Sequence, residues 1–187
     1  MSLLEVIAVL FNALGVFLTA KRIRWCWPIG AIAVLLYAWL FYQYKLYSDM
    51  LLQLIFAIIQ GYGWWHWKKD NILFKKISIV PLAFRTALNN LALGSIGVLL
   101  LGALMHYYTD AALPWLDSAL TIFSLIASIW GARKHIISWR LWIILDTLYT
   151  GIFIYKGLYL TAILYIIFIG LAIYGLYSWK HSTNASN

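Results

Sequence analysis

Apolar residues fill seven long stretches of this chain, near residues 4–20, 25–43, 48–67, 86–105, 115–132, 136–155 and 158–179. Short segments between them collect most of the Lys and Arg. None of the stretches alternates apolar with polar residues, so they read as helices rather than as barrel strands. At 1.5 Å per residue, about 17–22 residues are enough to cross a hydrocarbon core of roughly 30 Å. A helix also satisfies its own backbone hydrogen bonds in lipid, where water cannot. The expected fold class is all-α, with seven transmembrane helices.

A second pattern lies over the first. Residues 4–68 align with residues 116–180 at a constant offset of 112 without a gap, and 17 of the 65 positions are identical. Composition alone gives Leu and Ile matches, but not Trp27 on Trp139, Gly63 on Gly175, or Trp67 and Lys68 on Trp179 and Lys180. Leu46 and Tyr47 match Leu158 and Tyr159, so the loops have kept their length too. The chain divides into a three-helix repeat (1–68), a connector with a linking helix (69–115), a second three-helix repeat (116–180) and a tail (181–187). A three-helix unit ends on the opposite side from its start, and the single linking helix returns the chain before the second copy begins. The expected arrangement is therefore 3+1+3 with parallel repeats, a duplication typical of transport proteins, whose substrate site lies between the copies near the midplane.

Composition agrees with a lipid solvent: 64% of the 187 residues are hydrophobic and only 11% charged, against about 25% charged in a soluble domain. The net charge of +8 is spread among loops rather than gathered on one element, so no nucleic-acid partner is expected. Twelve of the 14 Lys and Arg fall in the loops after helices 1, 3 and 5, at the ends of the helices those loops join, or after helix 7: Lys21, Arg22, Arg24, Lys68, Lys69, Lys75, Lys76, Arg85, Arg133, Lys134, Arg140 and Lys180. Lys45 and Lys156 lie on the other side with Asp49, Asp110 and Asp117. Basic loops stay in the cytoplasm, which predicts an outer N-terminus and an inner C-terminus. Glu5 and the missing basic leader predict that the first stretch is kept rather than cleaved as a signal peptide. The single cysteine, Cys26, excludes an internal disulfide, and the four histidines lack ligand spacing, so no metal or cofactor is expected. There is no P-loop, HExxH, GxSxG or dinucleotide fingerprint, and ATP hydrolysis is not expected of this chain.

Polar groups at membrane depth are costly and mark the places to search. Asp146 lies about 15 Å from the inner end of helix 6, near the bilayer centre. Trp139, Trp142 and Asp146, at i, i+3 and i+7, share one helix face. A carboxylate beside indole rings suits an organic cation, through cation–π attraction and charge neutralisation. Trp139 equally suits an anchor at the interface, and Asp146 a paired structural carboxylate. The repeat partner of Asp146 is Val34, and that asymmetry favours a substrate contact. On helix 3, Gln53 and Gln60 share a face with Trp64 and Trp67; interhelical hydrogen bonding is their ordinary alternative role. Trp67 and Trp179 read as interface anchors, while Tyr149, a further candidate contact, matches Tyr37, which points to shared packing. Helix 5 carries a stripe of Asp117, Thr121, Ser124 and Ser128, whose matching repeat positions in helix 1 are Glu5, Val9, Asn12 and Val16; it reads as a packing seam or a polar path. Glu5 and Asp117 could gather cations at the outer mouth or simply complement their helix dipoles.

These residues resemble the PnuC family of bacterial vitamin transporters. The likeness rests on the 3+1+3 plan, on Gly61-Tyr62-Gly63-Trp64-Trp65-His66-Trp67 closing helix 3, and on Trp139-x-x-Trp142-x-x-x-Asp146 in helix 6. It covers nearly the whole chain, and the plan is shared in outline with SWEET-type sugar transporters. The resemblance implies uptake of nicotinamide riboside across the bacterial inner membrane by facilitated diffusion, with cytoplasmic phosphorylation trapping the product, in a homotrimer with one pathway per protomer. It implies that Trp139, Trp142 and Asp146 hold the pyridinium and ribose, with Gln53 and Gln60 as additional contacts. The chain is expected to lack the extra N-terminal helix of some longer members. Related branches carry thiamine and riboflavin; thiamine is also an aromatic cation, whereas neutral riboflavin fits an acidic pocket less well. An ion-coupled symporter and a non-transporting scaffold are the competing readings. An enzyme is not expected, because Asp146 has no titratable partner in its layer.

Overall fold

The computed structural model describes residues 3–45, 47–68, 78–109 and 113–184. It contains seven helices: α1 (Leu3–Ala20), α2 (Cys26–Gln43), α3 (Tyr47–Lys68), α4 (Phe84–Tyr108), α5 (Pro114–Ala132), α6 (Ile137–Tyr155) and α7 (Tyr159–Asn184). All but α3 are long and apolar enough to cross a membrane. The shortfall of α3 comes from Asp49, Gln53, Gln60 and His66, which lower its hydropathy while leaving its length at 22 residues. Prolines sit where a helix tolerates them, Pro114 at the first position of α5 and Pro28 in the first turn of α2.

Pairwise packing joins α1 to α2, α2 to α3, α3 to α5, α5 to α6, α6 to α7 and α7 back to α1. Six helices thus form a closed ring, and α4 lies outside it, packed among the described elements on α5. Shifting each helix of the first three by one repeat maps these contacts onto one another: α1 with α7 becomes α5 with α3. The outer surface is rich in exposed apolar side chains, among them Leu10, Ile58, Leu93, Leu100 and Leu160, as a lipid-facing surface requires. Inside, α1 and α2 approach closely at Gly15 and Gly30, where a Cβ on Gly15 would meet the Gly30 nitrogen at 3.4 Å.

The turns repeat as faithfully as the helices. Four of the described residues have positive φ: Arg22 and Lys134, at 59° and 67°, and Lys45 and Gly157, at 57° and 72°. Each pair is separated by 112. After α1, the Arg22 N–H donates to the Thr19 carbonyl and the Ile23 N–H to the Leu18 carbonyl; after α5, Lys134 donates to Gly131 and His135 to Trp130. This is the Schellman closure of a helix C-terminus, which needs one left-handed residue.

One end of the ring carries the basic residues of the α1–α2 and α5–α6 turns and the ends of α3 and α7. There the Arg24 guanidinium lies 3.3 Å above the Trp64 ring, and its Nε donates to the Trp64 carbonyl at 3.2 Å. The expected connector over 69–85 falls largely outside the described residues, as do Leu46 and Asp110. Its last residues return to the basic end: the Val80 N–H donates to the Lys134 carbonyl, and the Val80 carbonyl lies 3.0 Å from His135 Nδ1.

Candidate substrate cavity

A cavity of about 500 Å³ occupies the middle of the ring, lined by all six ring helices and by nothing from α4. It falls within the usual size range of small-molecule sites. Fifteen lining residues come from α1–α3 and fifteen from α5–α7, and fourteen of the first set have their partner 112 positions on in the second; Ile59 and Thr161 are the exceptions. The chamber thus has two walls whose lining residues correspond at an offset of 112.

At the basic end this chamber is closed by four tryptophans. Trp27 meets Trp67 edge to face with centroids 5.2 Å apart, Trp139 meets Trp179 in the same way at 5.6 Å, and Trp67 and Trp179 meet each other at 6.2 Å. The bonds cross between the repeats: Trp67 Nε1 donates to the Ala132 carbonyl at 3.0 Å, and Trp179 Nε1 to the Thr19 carbonyl at 3.1 Å. Both acceptors are carbonyls in the last turn of a helix; that of Thr19 also accepts the Arg22 N–H. Gly63 and Gly175 make room for this, since a Cβ at either position would run into the ring of Trp27 or Trp139. The anchoring role expected for Trp67 and Trp179, and weighed as the alternative for Trp139, is thus corrected. They are 0, 1 and 3% exposed, so they cannot sit at the lipid–water boundary. An anchor and a plug both place tryptophan at a helix end, and only the packing of the ring separates them.

The polar groups lie further in. Asp146 is the tenth of the nineteen residues of α6, at mid-depth, and is 5% exposed. Among the described residues no basic side chain pairs with it. Trp142 is a turn below it on the same wall, half-buried beside Ile143, and Tyr149 is a turn above. Gln53 and Gln60 on α3 line the chamber from the first repeat. All six residues singled out from the sequence, Trp139, Trp142, Asp146, Gln53, Gln60 and Tyr149, therefore face one space. Tyr149 belongs to an aromatic group away from the basic end, 4.9 Å from Tyr165 and 6.2 Å from Phe153 by centroids. Of the α5 stripe, Ser124 and Ser128 reach the cavity, with Asn12 and Val16 of α1, whereas Asp117, Thr121, Glu5 and Val9 do not. Trp64 is absent from the lining and instead holds Arg24.

Identical pairs mark both ends of the chamber: Trp27 with Trp139 at the basic end, Tyr37 with Tyr149 and Phe41 with Phe153 toward the other. Between them Phe56 matches Phe168, but Gly30 stands against Trp142, Val34 against Asp146 and Gln60 against Ala172. Sequence reasoning found the polar half of these differences but missed Gly30. A glycine carries no chemistry, and only its repeat partner Trp142 pointed to it.

Comparison with known proteins agrees with this architecture. A model of the nicotinamide mononucleotide transporter family matches residues 2–181. The nicotinamide riboside transporter PnuC of Escherichia coli (strain K12) is 27% identical over 178 residues, covering 82% of this chain and 74% of the relative. The riboflavin/roseoflavin transporter RibM of Streptomyces davaonensis is 22% identical over 174 residues, covering 90% and 81%. A crystal structure of the vitamin B3 transporter PnuC superposes with a TM-score of 0.78 at 25% identity, over 95% of this chain and 80% of the other. These relatives are named as transporters, not enzymes. With its apolar multi-helix ring and enclosed polar chamber, the chain belongs to the nicotinamide mononucleotide transporter family, the PnuC family, and is a multi-pass membrane transporter.

Proposed function

We propose that this protein takes up nicotinamide riboside across a bacterial inner membrane by facilitated diffusion. The observation that carries the reading is a mid-membrane carboxylate, Asp146, with no paired cation among the described residues, on a cavity wall shared with Trp139 and Trp142. An ionised carboxylate in a low-dielectric interior costs several kcal/mol unless a counter-charge meets it. A pyridinium supplies that charge and a flat cationic face for the indoles. Gln53 and Gln60 from the facing repeat are suited to hydroxyl groups on the attached sugar. The name of the 27% identical relative supports the same substrate.

The paired lining residues and paired turns support parallel 3+1+3 repeats, SWEET-like in outline, that rock about the central site. The basic end is the cytoplasmic one on this reading, which leaves the N-terminus outside and the C-terminus in. Assembly as a homotrimer is part of the proposal, with α4 outside each ring and free of any duty in the cavity.

Calorimetric titration of the purified protein with nicotinamide riboside, thiamine and riboflavin tests the substrate. Binding of the riboside alone is expected; binding of thiamine alone moves the protein to another cation with the same chemistry. The riboflavin relative makes the third ligand a real competitor, and its tight binding would overturn the charge-matching argument. Proteoliposomes test the energetics: uptake is expected to stop at equal concentrations inside and out, to ignore collapse of proton or sodium gradients, and to accumulate only with an internal kinase and ATP. Dependence on a gradient would establish the symporter instead.

A further inference from the structure

The two walls differ most at one pair of repeat-related positions. A Cβ placed on Gly30 of α2 would stand 2.7 Å from Nε2, 2.8 Å from Oε1 and 2.9 Å from Cδ of Gln60 on α3. These are its nearest neighbours, so the carboxamide lies directly over the glycine. The equivalent positions in the second repeat are Trp142 on α6 and Ala172 on α7, and all four residues line the cavity. One repeat thus combines no side chain on its second helix with a long amide on its third; the other combines the largest side chain with a methyl group. Volume has been exchanged between the helices, in opposite senses on the two walls.

We propose that Gly30 is a specificity-determining residue, which by carrying no side chain seats the Gln60 carboxamide at the cavity surface opposite the Trp142 wall. The inference rests on the cavity being the substrate site. Its consequence is polarity: a chamber with near two-fold walls would accept a ligand in either of two orientations, whereas an amide wall facing an indole wall accepts one. Gln60 suits this role because none of the described residues hydrogen-bonds its carboxamide, leaving donor and acceptor for a ligand. Gly30 also differs from Gly63. At Gly63 an added methyl meets a packed indole, but at Gly30 it meets the far end of a flexible side chain, so the helices can stay in place while Gln60 moves.

The test is a double-mutant cycle read by calorimetry with nicotinamide riboside, with thermal midpoints measured alongside. Gly30→Ala and Gln60→Ala are each expected to weaken binding about tenfold, the double variant to bind no more weakly than Gln60→Ala, and Gly30→Ala to keep its thermal midpoint. Losses that multiply in the double variant, or either single variant binding like the wild type, would overturn the proposal. Should Gly30→Ala fail to fold, recovery of folding in the double variant supports the contact. Failure to recover assigns Gly30 to backbone packing between α1 and α2 and overturns it. A wild-type protein that binds no riboside sinks the substrate reading separately; the cycle then runs with thiamine or riboflavin, whichever binds, and binding of neither overturns both.

Discussion

Asp146 and Trp142 were legible from sequence because membrane depth makes polarity expensive and a seven-residue span sets a helix face. Their roles separate by experiment. Asp146→Asn keeps the size of the side chain and one acceptor oxygen but removes its charge, and breaking a desolvated charge pair costs about 2 kcal/mol or more. Riboside affinity is expected to fall at least thirtyfold by calorimetry, with the thermal midpoint unchanged or raised because a lone buried charge has gone. Unchanged affinity would show that the carboxylate is structural. Trp142→Ala removes a cation–π partner worth about 2 kcal/mol when desolvated, so a loss near thirtyfold is again expected, in the dissociation constant rather than in folding yield. The tryptophans of the basic end were visible as repeat matches, yet their burial was not. Nothing in a one-dimensional pattern distinguishes an indole lying on lipid from one packed over a glycine on another helix.

At the scale of elements, the seven helices fell within a few residues of the hydropathy boundaries, because length and apolarity are local properties. α7 ran longest beyond them, continuing to Asn184 past the expected end near 179. What the pattern could not give was the cost of each junction. Gly63 and Gly175 occupy equivalent positions against Trp27 and Trp139. Alanine at either is expected to destabilise by about 1–3 kcal/mol through overpacking against a ring that cannot retreat; thermal unfolding in detergent checks this, and a midpoint within error of the wild type would deny the packing role. The turn pair Lys45 and Gly157 supports a subtler comparison. Both are left-handed, but only Lys45 carries a Cβ there, at a cost of roughly 1–2 kcal/mol. Gly157→Ala should therefore lower stability by about 1 kcal/mol, whereas Lys45→Ala should leave it nearly unchanged; equal effects would contradict the turn geometry.

For the whole molecule, the offset of 112 was readable in the sequence, but the route by which six helices close into one ring was not. That closure depends on which helix faces touch, and the contacts of α7 with α1 and of α3 with α5 join segments far apart in sequence. The ring's closed end provides a direct handle on alternating access. If the protomer rocks to release substrate at the basic end, the four-tryptophan plug must part there, and with it the bonds from Trp67 to Ala132 and from Trp179 to Thr19. Cys26, the single cysteine of the chain, is buried in that plug and lines the cavity beside Trp27, so its labelling rate with a thiol reagent measures how often this end opens. Trp67→Phe keeps an aromatic ring but deletes one cross-repeat donor, worth about 1 kcal/mol. That shifts the open population about fivefold. Labelling of Cys26 in reconstituted protein should accelerate by a similar factor, while Trp39→Phe, at an exposed position, should leave it unchanged. Equal rates for wild type and Trp67→Phe would mean that the plug is a fixed floor, and that substrate leaves the chamber by another path.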